Sequence, residues 1–137
     1  MIYITRRERF SAAHKLSNNK LSQEENLKQY GQCANEYYHG HNYQLLVTIK
    51  GNIDPEIGYV IDMKTLSRII KRNIIDLVDH KNLNVDVDFL KGINPSTENL
   101  LMSFWKQLVT EIEKHNCKLH KIKLIETENN YGEYYGE

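Results

Sequence analysis

The chain has 137 residues, and its basic and acidic side chains balance at 18 of each, which argues against a nucleic acid or an anionic membrane as its ligand. This length suffices for one apolar core without disulfides, so residues 1–137 are predicted to form a single domain. Because the chain has two cysteines, no signal-peptide pattern and no run of roughly 20 apolar residues, we expect a cytoplasmic protein with reduced thiols.

Two strands are predicted in the first 50 residues, on either side of a polar segment. Apolar residues on alternate positions favour a strand over 2–14, and the β-branched and apolar run 43–50 favours a second. Between them, residues 16–32 are polar, and Ser22 to Glu25 form a capping-box pattern that predicts a short helical turn. Residues 51–58 are typical of a turn-rich connection.

The second half of the chain changes to a helical period. Asp62 is a good N-cap for a first helix that ends near Asp79, and Ser96 or Thr97 can cap a second helix with an apolar face reaching Ile112. Residues 118–127 and 131–135 are predicted to be strands. The order of two strands, two helices and two strands predicts an α+β fold in which two helices cover one face of an antiparallel sheet.

Three histidines are placed to share a metal ion. His39 and His41 are separated by one residue, so in a strand their side chains project from the same face. His14 ends the first predicted strand and supplies a third imidazole. Zinc held by three histidines keeps its fourth position open to water or substrate, which is typical of catalytic sites. The sequence therefore predicts a catalytic zinc site at His14, His39 and His41.

Cys33 and the pair Asp79-His80 are the candidates for proton transfer. Cys33 lies six residues before His39, and a nearby cation would favour its thiolate form, so we assign it the role of general base. An aspartate that orients an imidazole makes a proton shuttle near neutral pH, which is the role predicted for Asp79 and His80. Spacing alone does not say whether this pair meets Cys33.

Each of these residue types also has a purely structural explanation. An Asp-His pair is typical of a helix C-terminus, where a cation interacts well with the dipole. Glu126 would by default be a solvated carboxylate at a strand end, and Cys117 an inert thiol. The two remaining histidines, His115 and His120, are expected to be ordinary surface residues.

Seven short blocks of sequence resemble the 6-pyruvoyl-tetrahydropterin synthase family, which includes the bacterial 6-carboxy-tetrahydropterin synthases of queuosine biosynthesis. They are distributed along almost the whole chain, in the order Phe10–His14, Glu25–Leu27, Tyr30–Cys33, His39–Tyr43, Asp79–Leu83, Ser96–Asn99 and Glu126–Asn130. The resemblance implies the tunnelling fold (T-fold), a four-stranded antiparallel sheet with two helices on one face that oligomerises into a β-barrel. It also implies a homo-oligomer, usually a hexamer made of two trimers, with active sites between subunits.

The resemblance also implies roles for the metal and proton-transfer residues. The three histidines match the family's zinc ligands. Cys33, Asp79 and His80 match its catalytic triad, in which the aspartate and the histidine come from a neighbouring subunit. The departure nearest to this site is Glu36-Tyr37-Tyr38, where many relatives have Pro-Asn-Gly, so the loop before His39 is expected to have a different shape.

The implied substrate is 7,8-dihydroneopterin triphosphate, which loses its triphosphate in the reaction. Glu126 matches the residue that anchors the amino-pyrimidine edge of the pterin, and Thr97 and Glu98 match positions lining that pocket. Candidate phosphate ligands are the basic residues near the first strand, Arg7, Arg9 and Lys15.

The motifs do not determine which of the family's two products the implied enzyme makes. The chain length and the segment 21–27 favour the pyruvoyl type, and the alternative is a 6-carboxy-5,6,7,8-tetrahydropterin synthase that releases acetaldehyde. Two further alternatives are a non-catalytic pterin- or metal-binding oligomer and a zinc hydratase or hydrolase. The complete set of candidate catalytic residues argues against the first, and the second would need neither Cys33 nor Glu126.

Overall fold

Residues 1–137 are all described by a computed structural model. The strands are β1 (Ile2–His14), β2 (His39–Gly51), β3 (Lys81–Asn82), β4 (Lys118–Ile125) and β5 (Tyr131–Tyr134). The α-helices are α1 (Gln23–Tyr30), α2 (Met63–Ile70), α3 (Asp76–Val78) and α4 (Thr97–Ile112), and a π-helical turn (Lys71–Ile75) joins α2 to α3. Two 3-10 turns cover Gly31–Ala34 and Asp88–Leu90. No helix is long and apolar enough to cross a membrane.

The sheet contains the four predicted antiparallel strands and one strand that was not predicted. Its order is β3-β1-β2-β4-β5, and β1 and β2 form a long hairpin-like pair whose register runs from Ile2 opposite Gly51 to His14 opposite His39. The expectation of a four-stranded, purely antiparallel sheet was wrong, because β3 pairs with β1 in parallel at Ala12 and Ala13. A strand of two residues has no periodicity for sequence analysis to detect.

Two predicted element boundaries also shift. β2 begins at His39, four residues before the predicted start, so both histidines of the pair belong to the strand. β4 ends at Ile125, so Glu126 lies just beyond the strand rather than within it. The first predicted helix is present, and the side chain of Asp62 caps it by accepting a hydrogen bond from the Lys64 amide at 3.3 Å.

One apolar core lies between the helices and a single face of the sheet. The even-numbered residues of β1 and the odd-numbered residues of β2 face it, as the alternation of a half-buried strand requires. Phe10 stacks on Tyr43 with ring centroids 4.7 Å apart, and Phe104 of α4 meets Phe10 edge to face at 5.9 Å. These rings fill the core directly below the ends of β1 and β2 that carry the histidines.

Gly51 packs too closely against its neighbours to accept a side chain. A Cβ atom there would lie 2.6 Å from Cγ1 of Val60 and 3.2 Å from the carbonyl oxygen of Asn116. We therefore expect Gly51→Ala to lower the free energy of unfolding by about 1 to 3 kcal/mol, the usual cost of overpacking. Chemical denaturation checks this prediction, and an unchanged midpoint would contradict the tight packing at the end of β2.

Candidate functional site

The ends of β1 and β2 bring the three predicted metal ligands together. Because His14 is opposite His39 in the antiparallel register, and His41 is one residue further along β2, the three rings share one face of the sheet. One ligand atom from each ring lies within 4.8 Å of the other two. This spacing is compatible with one ion shared by three imidazoles after small side-chain adjustments.

The hydrogen bonds of the rings leave nitrogens free for a metal. His14 is buried, and its Nδ1–H donates to the carbonyl oxygen of Pro95 at 2.8 Å. This bond orients the ring and leaves Nε2 as the nitrogen with a free lone pair. Nδ1 of His39 and Nε2 of His41 are buried and have no hydrogen-bond partner. Buried polar atoms without partners are rare, and three convergent nitrogens are the donor set that zinc prefers.

Burial favours the neutral form of two of the imidazoles, those of His14 and His41, by lowering the pKa of each. It lowers the pKa of His14 below its ordinary value, and the neighbouring His39 acts in the same direction, whereas the bond to Pro95 and the charge of Glu126 act against it. Burial also lowers the pKa of His41, with Glu126 again opposing the shift. Neutral imidazole is the form that binds metal, so these rings do not need to lose a proton near neutral pH.

Tyr43 forms the floor beneath the histidines. Its hydroxyl lies 3.4 Å from Nδ1 of His14, and its ring lies 5.5 Å from that of His41. Burial raises the pKa of the Tyr43 phenol well above its ordinary value, so the hydroxyl keeps its proton. The floor is therefore uncharged and rigid, as the side chain is fully buried.

Cys33 is held next to the histidines by the backbone. It lies in the 3-10 turn after α1, and its carbonyl oxygen accepts a hydrogen bond of 2.7 Å from the amide of Leu16, two residues beyond His14. The thiol is free and partly exposed. The polar segment predicted between the first two strands thus folds back over the end of β1 and places the cysteine at the site.

A pocket of about 710 Å³ opens beside this group and contains the predicted substrate residues. Its lining includes Cys33, Thr97, Glu98 and Glu126 together with His14. The hydroxyl of Thr97 donates to Oε2 of Glu126 at 3.1 Å, while Oε1 lies 3.8 Å from Nε2 of His41. Glu126 is thus a positioned carboxylate facing the pocket, not the freely solvated one that its position in the sequence would suggest.

Asp79 and His80 lie outside this pocket. Oδ1 of Asp79 accepts a hydrogen bond of 2.9 Å from the amide of Ser11 and lies 3.0 Å from Nδ1 of His80. The Ser11 amide is the main reason why the pKa of Asp79 lies below its ordinary value, and the His80 imidazole adds to the shift. The side chain of His80 is 83% exposed, with its backbone in the left-handed region at φ 61°. The pair is assembled, but it points to solvent and not to the Cys33 of its own chain.

The three candidate phosphate ligands are also dispersed. Arg7 and Arg9 are exposed on the face of β1 opposite the core, and neither lines the histidine pocket. Lys15 places its Nζ 4.8 Å from the centre of the Tyr38 ring. None of the three contacts the pocket within one chain.

The chain is similar to known proteins over almost its whole length. The sequence pattern of the family described as 6-pyruvoyl tetrahydropterin synthase matches residues 3–137. The chain belongs to this family. The 6-pyruvoyl tetrahydrobiopterin synthase of Dictyostelium discoideum is 46% identical over 136 residues, which is 99% of this chain and 97% of the relative. Family members carry the names of lyases, so the chain is an enzyme of that class.

Two further similar proteins are a solved structure and a synthase that makes a different product by its name. The structure of the Caenorhabditis elegans 6-pyruvoyl tetrahydropterin synthase superposes with a TM-score of 0.90 and 35% identity, covering 99% of this chain and 96% of the other. The 6-carboxy-5,6,7,8-tetrahydropterin synthase of Rickettsia typhi is 26% identical over 145 residues, covering 94% of this chain and 96% of the relative. The T-fold of the synthase family therefore fits this chain.

The loop before His39 departs from the family pattern at Tyr38. This residue has φ 71°, in the left-handed region that favours glycine, the residue that the family resemblance implies at this position. The contact of its ring with Lys15 closes the loop in a way that glycine could not. The departure therefore lies next to the histidines and keeps a backbone conformation that a glycine would adopt readily.

Sequence analysis missed several parts of this site. The Pro95 carbonyl that orients His14 is a backbone group, and the Leu16 amide that holds Cys33 is another, so neither has a side-chain signature. Asn129, Asn130 and Tyr131 line the pocket as well. Asn129-Asn130 is a turn signal that begins three residues after Glu126, and this proximity was the available clue.

Proposed function

We propose that this synthase-family enzyme is a zinc-dependent lyase that eliminates triphosphate from 7,8-dihydroneopterin triphosphate and makes the 6-pyruvoyl product. The observation that carries the proposal is the convergence of three imidazoles beside a pocket that also contains Cys33 and Glu126. The 46% identity to a 6-pyruvoyl synthase, against 26% to a 6-carboxy synthase, supports the pyruvoyl product over the carboxy one.

His14, His39 and His41 would hold the zinc ion. Their unpartnered buried nitrogens fit this role, since without a ligand those atoms carry an uncompensated desolvation cost. When bound, zinc supplies a Lewis acid that polarises the substrate's side-chain oxygens and makes the adjacent carbon easier to deprotonate. The bond from His14 to Pro95 keeps that ring in the tautomer that presents Nε2.

Cys33 would act as the general base. Its thiol lines the same pocket as His14, and the Leu16 bond prevents the turn that carries it from moving away. In the proposed step the Cys33 thiolate removes a proton from the substrate side chain, and the triphosphate then leaves. After this step Cys33 holds the proton as a thiol. A second group must take up this proton and move protons during the final tautomerisation, and Asp79 and His80 would provide that group.

Glu126 and Thr97 would recognise the pterin. The hydrogen bond from Thr97 leaves Oε1 of Glu126 to accept N–H groups from the planar amino-pyrimidine edge. Glu98, in the first turn of α4, would line the same pocket. A carboxylate fixed in this way selects a donor-rich heterocycle over a simple anion.

Glu126→Gln is expected to raise KM for the pterin substrate by about 10- to 100-fold, because a charge-assisted hydrogen bond is replaced by a neutral one. Zinc content should stay unchanged, since Gln can keep the bond to Thr97. The matched control is Glu128→Gln, an exposed carboxylate two residues away. Equal KM values for the two variants would contradict the role of Glu126 and would favour a hydrolase that needs only the metal.

A neighbouring subunit would supply Asp79 and His80 in a homo-oligomer, which we propose to be a hexamer of two trimers. The exposed His80 ring cannot serve its own chain's Cys33 from its present position, so the site is incomplete within one chain. The free edges of β1 over residues 2–10 and of β5 are available for pairing with other copies in a β-barrel.

This arrangement predicts complementation between inactive subunits. Chains carrying Cys33→Ala and chains carrying His80→Ala should each be inactive alone. When the two chains are coexpressed in equal amounts, the mixed oligomers should recover about a quarter of wild-type activity. Each shared site takes Cys33 from one chain and His80 from the neighbour, and each group is intact in half of the chains. An activity assay of the copurified mixed oligomers checks this result. If the mixed oligomers are no more active than either variant alone, Cys33 and His80 of one site come from the same chain.

The proposal as a whole is tested by incubating zinc-loaded protein with 7,8-dihydroneopterin triphosphate and identifying the products by mass spectrometry. A pterin that keeps its three-carbon side chain supports the pyruvoyl assignment. A 6-carboxy product with acetaldehyde would assign the chain to the other branch of the family. Absence of triphosphate release would indicate a non-catalytic binding protein.

A further inference from the structure

A cluster of cations lines a groove between β1 and the helix α2, far from the histidines. The groove has a volume of about 470 Å³. We call it the basic groove and define it by the charged residues that line it, which are Arg6, Lys64, Arg68, Lys71, Arg72 and Asp76. Arg6 lies eight residues before His14 on β1, a separation of roughly 26 Å along an extended strand. The basic groove shares no residue with the histidine pocket.

Most of this charge is not neutralised by the protein. Lys64, Arg68, Lys71 and Arg72 have no carboxylate within 4.0 Å, and only Arg6 is in a salt bridge, with Glu8. Asp76 is the one carboxylate among the lining residues, against five cations. In a chain with no net charge, this excess makes a local positive field.

The floor of the basic groove is an ordered polar network. Oε1 of the buried Glu8 accepts hydrogen bonds from Nε of Arg6 at 2.8 Å and from the hydroxyl of Ser67 at 2.6 Å. Because Nε is the guanidinium atom engaged, the terminal N–H groups of Arg6 remain free to bind a ligand. Glu8 therefore fixes the orientation of Arg6 within the groove.

Helical spacing explains how the cations come to share one surface, since Lys64, Arg68 and Lys71 are four and three residues apart on α2 and the π-helical turn that follows it. In that turn Ile74 and Ile75 are buried, while Lys71, Arg72 and Asp76 are exposed. Asn73 bridges the turn by donating to the carbonyl oxygen of Ile69 at 2.8 Å. Turns of this kind occur often at functional sites.

We propose that the basic groove is a second anion site, which binds a compact, phosphate-rich molecule such as a linear polyphosphate. Met63 is its one apolar lining residue, so the groove has no aromatic surface on which a nucleobase could stack. Five cations over this volume match several phosphate groups in a row, and the guanidinium groups of the three arginines suit phosphate oxygens.

Hydrogen-deuterium exchange of the zinc-loaded enzyme, titrated with sodium tripolyphosphate, tests the proposal at the groove itself. Peptides that cover residues 63–76 should become protected as tripolyphosphate is added. In the variant Lys64→Ala/Lys71→Ala, the midpoint of this protection should shift to about tenfold higher tripolyphosphate, because two charged contacts are lost. The readout is local and needs no turnover, so it is independent of the proposed pterin chemistry.

The matched control is Lys28→Ala/Lys106→Ala, which removes two exposed lysines that line neither pocket. This variant should keep the wild-type midpoint over residues 63–76. Equal midpoints in all three proteins, or no protection of this segment, would overturn the proposal. Protection by a polyglutamate peptide but not by tripolyphosphate would also overturn it and would assign the groove to an acidic protein segment.

Discussion

Replacement of Cys33 by alanine is expected to lower kcat for triphosphate release by about 1000-fold, within the range that a positioned general base contributes. The thiol lines the pocket beside His14, and no other thiol of the chain is near, since Cys117 is buried at the opposite end of the sheet, beside Gly51. Zinc should stay at one ion per chain, because Cys33 is not among the three convergent ligands. Steady-state kinetics and metal analysis of the same preparation check both parts.

Cys117→Ala is the matched control, since it removes the chain's other thiol. It should keep wild-type kcat and lose a little stability, because the Cys117 side chain is packed in the core. If Cys33→Ala keeps its activity, the base is another group. If it loses zinc together with activity, the cysteine is a ligand and not the base.

His41→Ala is expected to remove stoichiometric zinc and to reduce turnover to background. Two imidazoles alone do not make a tight zinc site, and the remaining pair would be His14 and His39. His41 is a better residue to replace than His14, because His41 is partly exposed whereas His14 is buried. Metal analysis after dialysis and the lyase assay measure the two effects.

The control for this variant is His115→Ala, which removes an exposed histidine distant from the convergent ligands. Its zinc content and activity should equal those of the wild type. The thermal midpoint of His41→Ala in the absence of zinc should stay close to that of the zinc-free wild type. A variant that keeps one zinc per chain would show that the three histidines do not form the metal site.

The strands and helices were largely predictable because their signals are local. Alternation marked β1, the 3.6-residue period marked α2 and α4, and Asp62 and Ser96 act as the caps that their positions suggested. The one-residue spacing of His39 and His41 was enough to place both rings on one face. Because β2 begins at His39, both histidines are strand residues, and the alternation of side chains along a strand puts their rings on the same face.

The remaining features depend on contacts between distant parts of the chain. Three of them depend on hydrogen bonds of backbone groups: the strand β3, the Pro95 carbonyl that orients His14 and the Leu16 amide that holds Cys33. Because every residue has these backbone groups, the residue types do not indicate which of them pair. The π-helical turn, which buries Ile74 and Ile75, has no signal in the sequence, because its residues continue the helical period of α2.

The sequence was sufficient to identify the candidate residues for the chemistry, which are three histidines, a cysteine, an Asp-His pair and a glutamate, on elements that local periodicity could place. Which of these residues lie close together depends on the tertiary structure. The register of β1 with β2 joins His14 to His39 and His41, and the bond from Thr97 turns Glu126 into the pocket. Asp79 and His80 lie apart because both are bonded to Ser11, on β1 before the histidine end. Oδ1 of Asp79 accepts from the Ser11 amide, and the His80 amide donates to the Ser11 carbonyl oxygen. Register and long-range hydrogen bonds are set by the sum of the packing, so no single stretch of sequence records them.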